Sequence, residues 1–208
     1  SNNKLLTSAT ALVELGKSFA FTTRVSVNRD SSRLYIKGSG DPLLSTEDVD
    51  SIARAIKGKI PTDSQWTLVG DVSYFDDLYW GTGWTWDEGP EPYGMYLSPL
   101  SLNANSVEVR VRPGKTVGDS VTVTVVPATS YTPIINDGWT VRDTALFPLD
   151  ITRNWRENSN TITVTGEQSL RDTLSTRWLN VWQPERYLLT LLAERLQSRG
   201  LMVKEIQI

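Results

Sequence analysis

Hydrophobic and polar residues recur with different periods along this chain of 208 residues, and those periods predict its elements. Residues 5–15 are apolar almost without interruption, which predicts a helix that is apolar nearly all round, as is typical inside a core. Alternation over residues 19–28 and 34–38 predicts two strands joined by a polar turn. Ser45 is the predicted cap of an amphipathic helix with an acidic residue at the capping-box position, and residues 66–74 follow as a strand.

The C-terminal end repeats this strand-helix-strand scheme. Residues 178–182 form a predicted strand, and Pro184 suits the first position of a helix over residues 185–199. Gly200 ends that helix before a strand over residues 201–208. Two such units at the two ends of a chain are expected to pack as one α+β sheet domain.

The middle of the chain differs in character from both ends. It holds most of the prolines and glycines, and it contains several alternating runs, which predict an all-β insertion. The predicted fold class is therefore α+β, with a nested all-β insertion in a split sheet domain. The predicted bounds are 1–17 for an N-terminal helix, 18–75 with 175–208 for the sheet domain, and 76–174 for the insertion. The predicted strands of the insertion are 106–112, 120–126, 140–143, 151–155 and 161–165.

The composition of the chain limits which partners and which kinds of catalytic or metal site are possible. The 21 basic and 24 acidic residues give a net charge of −3 without a basic cluster, which argues against a nucleic-acid partner. Because cysteine and histidine are both absent, disulfides, thiol catalysis, Ser-His-Asp triads and cysteine or histidine metal sites are excluded within the chain. No cofactor and no metal are predicted. No apolar run reaches the roughly 18 residues that span a bilayer, and a signal peptide is expected upstream of the first residue.

Ser1 and Lys4 are the candidate catalytic residues, because a spacing of three at the start of a helix places them on one face, one turn apart. Free N–H groups and the positive end of the helix dipole would point at the serine oxygen, and a partly desolvated lysine amine would take its proton. Penicillin-recognising enzymes use this Ser-x-x-Lys motif.

Plainer interpretations remain open for the same residues. Ser1 is a possible N-cap beside a solvated Lys4, although the dipole disfavours a cation in the first turn, and Ser1-Asn2 is a possible remnant of tag removal. An N-terminal nucleophile hydrolase, with the α-amine of Ser1 as its base, is disfavoured because a helix rather than a strand follows.

Eight tryptophans suggest either a sugar-stacking platform or the aromatic core of a β-rich domain, and we favour the core. Residues 80–96 combine aromatic with acidic side chains and are a candidate site for glycan strands, a partner protein or a calcium ion. Their acidic spacing matches no defined calcium loop, so solvated turns are favoured. The acidic residues concerned are Asp76, Asp77, Asp87, Glu88 and Glu91.

Several short segments are weak signals one by one, but their order and spacing together are specific for one protein family. They are SNNKLLT at 1–7 with Ala11-Leu12 and Leu15-Gly16, FTT at 21–23, LYIKGSGDP at 34–42, GDV at 70–72, GWTW at 83–86, LSPLSLNAN at 97–105, and the closing helix between Pro184 and Gly200. In these segments the chain resembles the class C low-molecular-mass penicillin-binding proteins, the D-alanyl-D-alanine carboxypeptidases/endopeptidases of bacterial peptidoglycan.

That resemblance implies that Ser1 is the acylated nucleophile and Lys4 the proton-abstracting partner. It also implies stem peptides of peptidoglycan and β-lactams as partners, a periplasmic or other extracytoplasmic location, and a transpeptidase-type domain interrupted by an insertion just after the Ser-x-x-Lys helix. The chain is expected to hold that helix and the insertion domains only, and so to be inactive alone. No oligomeric state is predicted.

The family's two further motifs, Ser-x-Asn and Lys-Thr-Gly, have no convincing match. Ser26-Val27-Asn28 and Ser101-Leu102-Asn103 agree by letters but lie too early in the chain, in strand or loop contexts. Lys115-Thr116-Val117-Gly118 lacks glycine at the third position and is predicted to be a solvated turn between insertion strands. A non-catalytic module that binds glycan or protein, or serves as a scaffold, is therefore the alternative hypothesis.

Overall fold

The computed structural model describes residues 2–85, 87 and 89–208. Within these residues the chain is a mixed α+β structure, as the hydrophobic patterns predict, and its strands form three sheets. The helices are α1 (Asn3–Leu15), α2 (Thr46–Lys57) and α3 (Pro184–Gln197). The strands are β1 (Arg24–Asn28), β2 (Arg33–Lys37), β3 (Gln65–Asp71), β4 (Ser106–Arg112), β5 (Thr122–Val126), β6 (Ile134–Val141), β7 (Asp150–Arg153), β8 (Ile162–Ser169), β9 (Ser175–Asn180) and β10 (Met202–Gln207).

The first sheet has the strand order β1-β2-β3-β10. β2, β3 and β10 are parallel, and β1 pairs with β2 in the antiparallel sense. Parallel neighbours need a crossover, which α2 provides between β2 and β3, while α3 leads into β10. The two helices contact each other, and α3 also contacts β3 and β10. Alternate residues of β2, Leu34 and Ile36, are fully buried.

The start of α2 follows the sequence prediction closely. The Ser45 hydroxyl accepts a hydrogen bond from the Asp48 backbone N–H, and the Asp48 carboxylate accepts one from the Ser45 N–H, which completes a capping box. The hydrogen bond from the Ser45 N–H, followed by one from the Ser45 hydroxyl, lowers the pKa of Asp48 because both stabilise the ionised carboxylate. Val49, Ala53 and Ile56 form the buried stripe.

The middle of the chain is β-rich, with the sheets β5-β4-β9 and β6-β8-β7 and three short 3₁₀ turns. One prediction about the sheets is wrong: the strand near 178–182 does not belong to the first sheet. It is β9, which pairs with β4 so that Ser106 lies opposite Asn180. Alternation along one strand marks its buried side but not its neighbour, so the C-terminal strand-helix-strand unit spans two sheets. The proposed domain boundaries stay predictions.

β6 begins six residues earlier than its alternation indicated. The polar and glycine residues from Asn136 to Gly138 obscure the pattern, but parallel pairing of Ile134 with Ile162 fixes the strand start. Gly138 is needed here because a β-carbon would come within 2.9 Å of the Val121 side chain.

The tryptophans contradict the favoured expectation of an aromatic core. Trp66 is 1% exposed, but it belongs to β3 of the first sheet rather than to the β-rich part. Trp80, Trp84, Trp139 and Trp178 are each more than 40% exposed. Trp86 lies outside the described residues.

An ion pair closes the carboxyl ends of β2 and β3. Lys37 Nζ lies 2.9 Å from Asp71 Oδ2, and both the backbone N–H and the hydroxyl of Ser73 donate to Asp71 Oδ1. The hydrogen bonds from Ser73, followed by the one from Lys37, lower the pKa of Asp71 from 3.8 to about 2. The ionised carboxylate therefore stabilises the fold above the unfolded-state pKa, and this contribution disappears as the pH falls through the folded-state value.

We expect Asp71→Asn to lower the free energy of unfolding at pH 7 by about 1 kcal/mol, a value reduced for the partial exposure of the pair. The difference from the wild type should shrink from about pH 3.8 downward and vanish near pH 2. Urea unfolding at a series of pH values measures it. The control, Asp63→Asn in an exposed turn, should shift stability by less than about 0.5 kcal/mol. A pH-independent loss in Asp71→Asn would contradict the ion-pair explanation.

Candidate functional site

Lys4, the second residue of the Ser-x-x-Lys motif, lies in the first turn of α1. Ser1 is outside the described residues, so its geometry relative to Lys4 stays a prediction. Asn2 occupies the N-cap position with helical backbone angles and no side-chain cap, and Lys4 is in the first turn with its side chain in solvent. No ion pair of Lys4 occurs among the described residues.

Helix α1 has no buried residue. Leu5, Leu6 and Val13 are each at least 70% exposed, although an apolar helix of this kind is stable mainly when it is covered. Gly16 ends α1 with a φ of 80°, as predicted, and its N–H donates to the Leu12 carbonyl. The helix therefore presents its first turn and its apolar surface together, uncovered by the rest of this chain.

The segments that match the two later motifs by residue type lie in a strand, a loop and a turn, as expected. Ser26-Val27-Asn28 is part of β1, and residues 115–118 form an exposed turn between β4 and β5. Asn103 accepts from the Thr46 N–H and donates to the hydroxyls of Thr46 and Tyr187, which ties the 97–105 segment to α2 and α3.

An aromatic cluster lies at the base of the 80–96 segment. Trp182 packs against Tyr79 and Tyr96 with ring centroids 4.9 and 5.0 Å apart, and Trp80 lies 5.8 Å from Tyr96. The Tyr79 hydroxyl donates to Glu185 Oε1 over 2.7 Å. Burial, followed by this contact, raises the pKa of Tyr79 well above its ordinary value. The segment is therefore anchored by aromatic packing, and Glu185 is a site residue that the sequence showed only as a helix start.

A buried polar network joins the same segment to β7 and β9. Arg153 is 2% exposed and donates to Asn180 Oδ1, the Tyr96 hydroxyl and the Ser159 carbonyl. The Asn180 amide nitrogen donates to the carbonyls of Gly89, Glu91 and Gly94. Burial lowers the pKa of Arg153, since desolvation penalises the cation.

This network was not predicted, because its members are separated by many residues. The alternation along β9 does not reveal it either, because Asn180 is buried although it lies on the same side of the strand as the exposed Thr176 and Trp178.

The structure was also searched for metal-ligating groups and membrane spans. Among residues 2–85, 87 and 89–208, no three or more histidine, cysteine, aspartate or glutamate side chains are grouped closely enough to hold a metal ion. None of the helices in that part of the chain has the length and apolar character needed to cross a bilayer.

The chain is similar to known proteins along its whole length. The profile of the D-Ala-D-Ala carboxypeptidase 3 (S13) family matches residues 1–207. The chain is 30% identical over 216 residues to a D-alanyl-D-alanine carboxypeptidase of Actinomadura sp. (strain R39), covering 98% of this chain and 40% of that protein. It is 22% identical over 227 residues to a penicillin-sensitive carboxypeptidase A of Dictyostelium discoideum, covering 100% and 44%.

Solved structures show the same fold. Penicillin-binding protein 4 from Haemophilus influenzae superposes with a TM-score of 0.76 at 19% identity, over 100% of this chain and 47% of that one. A complex of that protein with a β-lactam gives a TM-score of 0.67 at 16% identity, over 100% and 44%. The chain thus spans less than half the length of each relative. Its profile match over nearly every residue shows that it belongs to the D-Ala-D-Ala carboxypeptidase 3 (S13) family.

Proposed function

We propose that this chain carries the nucleophile of a serine-type D-Ala-D-Ala carboxypeptidase/endopeptidase that acts on peptidoglycan stem peptides outside the cytoplasm and is acylated by β-lactams. The observation that carries the proposal is the Ser-x-x-Lys spacing at the start of α1, in a chain that belongs to the S13 family. The location follows from the proposed substrate, since peptidoglycan lies outside the cytoplasm.

The proposed reaction uses Ser1 and Lys4 in a covalent cycle. Ser1 Oγ attacks the carbonyl carbon of the D-Ala-D-Ala peptide bond while its proton passes to the neutral Lys4 amine. The tetrahedral intermediate then loses the amine of the terminal D-alanine, which takes that proton, and the acyl group stays on Ser1 as an ester. Water hydrolyses the ester, which returns Ser1 and releases the shortened peptide.

The exposure of α1 supports the expectation that the chain is inactive alone. Lys4 is exposed here, so the described part of this chain does not bury the proposed base. Backbone N–H groups that stabilise the oxyanion would come from elements outside this chain. Covering the apolar surface of α1 would therefore both stabilise the helix and desolvate the base.

Intact mass spectrometry with and without excess benzylpenicillin tests this proposal. The mass of the purified 208-residue chain should not change. The full-length natural protein that contains it should gain one penicilloyl group, and digestion should locate that group on the fragment that includes Ser1. Ser1→Ala should remove the adduct, and Ser8→Ala, on the same helix, should retain it. Rapid acylation of the 208-residue chain would contradict its inactivity, and an adduct on another residue would contradict the role of Ser1.

The half-exposed tryptophans favour glycan binding as a second candidate function. Trp80, Trp84 and Trp178 are each more than 40% exposed and offer indole surface on which sugar rings can stack. Pull-down with purified glycan strands tests it, and equal retention of a Trp84→Ala variant would argue against a role for that side chain.

A further inference from the structure

An open cavity of about 230 Å³ lies beside the start of β1 and the end of β2. Arg24, Lys37, Phe19 and Tyr74 are among the residues that line it. Phe19 follows the last residue of α1 by four positions, so the cavity is near the opposite end of that helix from Lys4. It shares no residue with the Ser-x-x-Lys motif and is independent of the acyl transfer proposed above.

The register of the first sheet places the two cations of this cavity side by side. Arg24 of β1 pairs with Lys37 of β2 in the antiparallel sense. Leu34 and Ile36 are fully buried, so Lys37 and the residue opposite it lie on the other, open face of the sheet. Like charges directly opposite each other on neighbouring strands repel each other. An anion bound between them would replace that repulsion with attraction.

The folded chain supplies a counter-charge to only one of these cations. Lys37 Nζ donates to Asp71 Oδ2, whereas Arg24 has no ion pair and no hydrogen bond from its side chain within the described residues. No carboxylate is among the described residues that line the cavity. Ser39 also lines it and accepts from the Thr22 N–H, and its hydroxyl proton has no acceptor in the part of the chain that the structure describes. The cavity therefore offers a guanidinium and a hydroxyl as uncommitted donors.

The local charge favours an anion with a single negative charge. Arg24, Lys37 and Asp71 together carry a net charge of +1, which one carboxylate neutralises and a phosphate of about −1.5 to −2 exceeds. The planar fork of a guanidinium also matches the two oxygens of a carboxylate. Phe19 and Tyr74 are 46% and 57% exposed, so their rings offer apolar surface beside the cations. That surface favours an anion that carries an apolar body over a bare ion.

We propose that this cavity binds a carboxylate on an apolar body, such as the end of a peptide whose last residue is apolar. The Arg24 guanidinium donates to both carboxylate oxygens, and the Ser39 hydroxyl donates to one of them. Lys37 adds attraction, while the apolar body packs on Phe19 and Tyr74. The ligand thus supplies the counter-charge that the folded chain does not give to Arg24.

The test is a titration of the 208-residue chain with 4-methylpentanoate at pH 7 and constant ionic strength. NMR of the Arg24 Nε–H group and of the Gly38 and Ser39 backbone amides, all at the cavity, follows the binding. We expect saturable shifts with a Kd of about 1–10 mM, the range open to so small a ligand. N-acetyl-leucine should compete, and its neutral amide should not.

Three further probes separate the parts of the ligand. Neutral 4-methylpentanamide keeps the apolar body and should bind at least about tenfold more weakly, since it lacks the charge. Acetate keeps the charge and should bind at least about threefold more weakly, since it has almost no apolar surface to bury. Inorganic phosphate should also bind more weakly than 4-methylpentanoate.

Variants of opposite expected effect test the assigned residues. Arg24→Gln should weaken binding of 4-methylpentanoate at least about tenfold, because a neutral amide replaces the cationic fork. Asp71→Asn removes the counter-charge of Lys37 and should strengthen binding about threefold. Arg33→Gln is the matched control, since Arg33 is on the same face of β2 but about 13 Å from Lys37, and it should change the Kd less than about twofold.

Four results would overturn the assignment: no saturable binding of 4-methylpentanoate, equal binding of its amide, tighter binding of phosphate, or equal losses in Arg24→Gln and Arg33→Gln. Arg24 is exposed, so its replacement should leave the fold intact, and the amide spectrum of the variant checks this. Each outcome is separate from penicillin acylation, which needs Ser1 and not this cavity.

Discussion

Replacing Asn180 by alanine will lower the free energy of unfolding by about 4 kcal/mol. The change removes the acceptor of the buried Arg153 guanidinium, whose hydrogen bond to Asn180 Oδ1 is 2.6 Å long. It also removes the donor to three carbonyls of the 89–94 loop. A buried cation and several buried carbonyls are then left short of partners, and the cost of each is larger than the gain from an ordinary hydrogen bond. Guanidinium unfolding followed by tryptophan fluorescence measures the loss.

Thr176→Ala is the matched control for this prediction, because Thr176 is an exposed residue of the same strand, β9. It should cost less than about 1 kcal/mol. A double-mutant cycle with Arg153→Met adds a second check: the effect of Asn180→Ala should fall when the buried charge is already gone. An additive cycle would show that the two side chains do not act as one network.

Replacing Gly38 by alanine will lower the free energy of unfolding by about 3 kcal/mol. A β-carbon at Gly38 would lie 2.0 Å from the Pro99 carbonyl oxygen and 2.9 Å from a methyl of Leu100. That carbonyl is held in place, since it accepts from the Gly40 N–H over 2.9 Å. The backbone at the end of β2 must therefore move away from the 97–105 segment, which separates two parts of the core. Thermal and urea unfolding measure the loss.

Gly58→Ala is the control for the Gly38 prediction. Gly58 ends α2 with helical angles, and the nearest atoms to an added β-carbon are 3.8 Å away. Alanine there should be neutral or stabilise by up to about 1 kcal/mol, because it reduces the freedom of the unfolded chain. Equal losses at both positions would show that close approach at Gly38 is not the cause.

The contrast between α1 and the rest of the chain bears on the proposed function. The core runs from β2 through α2 and α3 into both β-rich sheets, and none of it covers α1. Helix α1, which holds Lys4 in its first turn, is thus exposed along its whole length. Under the proposed function, acylation by benzylpenicillin should therefore depend on what covers α1 rather than on the stability of the β-rich sheets.

The sequence by itself determined the local elements and the family. The alternation in β2 and β4, the capping box at Ser45 and the proline that opens α3 all act over a few residues, so a single stretch of sequence contains the whole signal. The Ser-x-x-Lys motif can be recognised for the same reason, since it lies within four consecutive residues.

Only the tertiary structure showed which residues contact each other across long distances in the sequence. Alternation marks the buried side of β9 but not its pairing with β4, and the tryptophans were assigned to a core from composition alone although most of those described are half exposed. The contacts of Glu185 with Tyr79 and of Arg153 with Asn180 join residues 106 and 27 positions apart. No local pattern encodes such contacts, because they depend on how the sheets and α3 pack against one another.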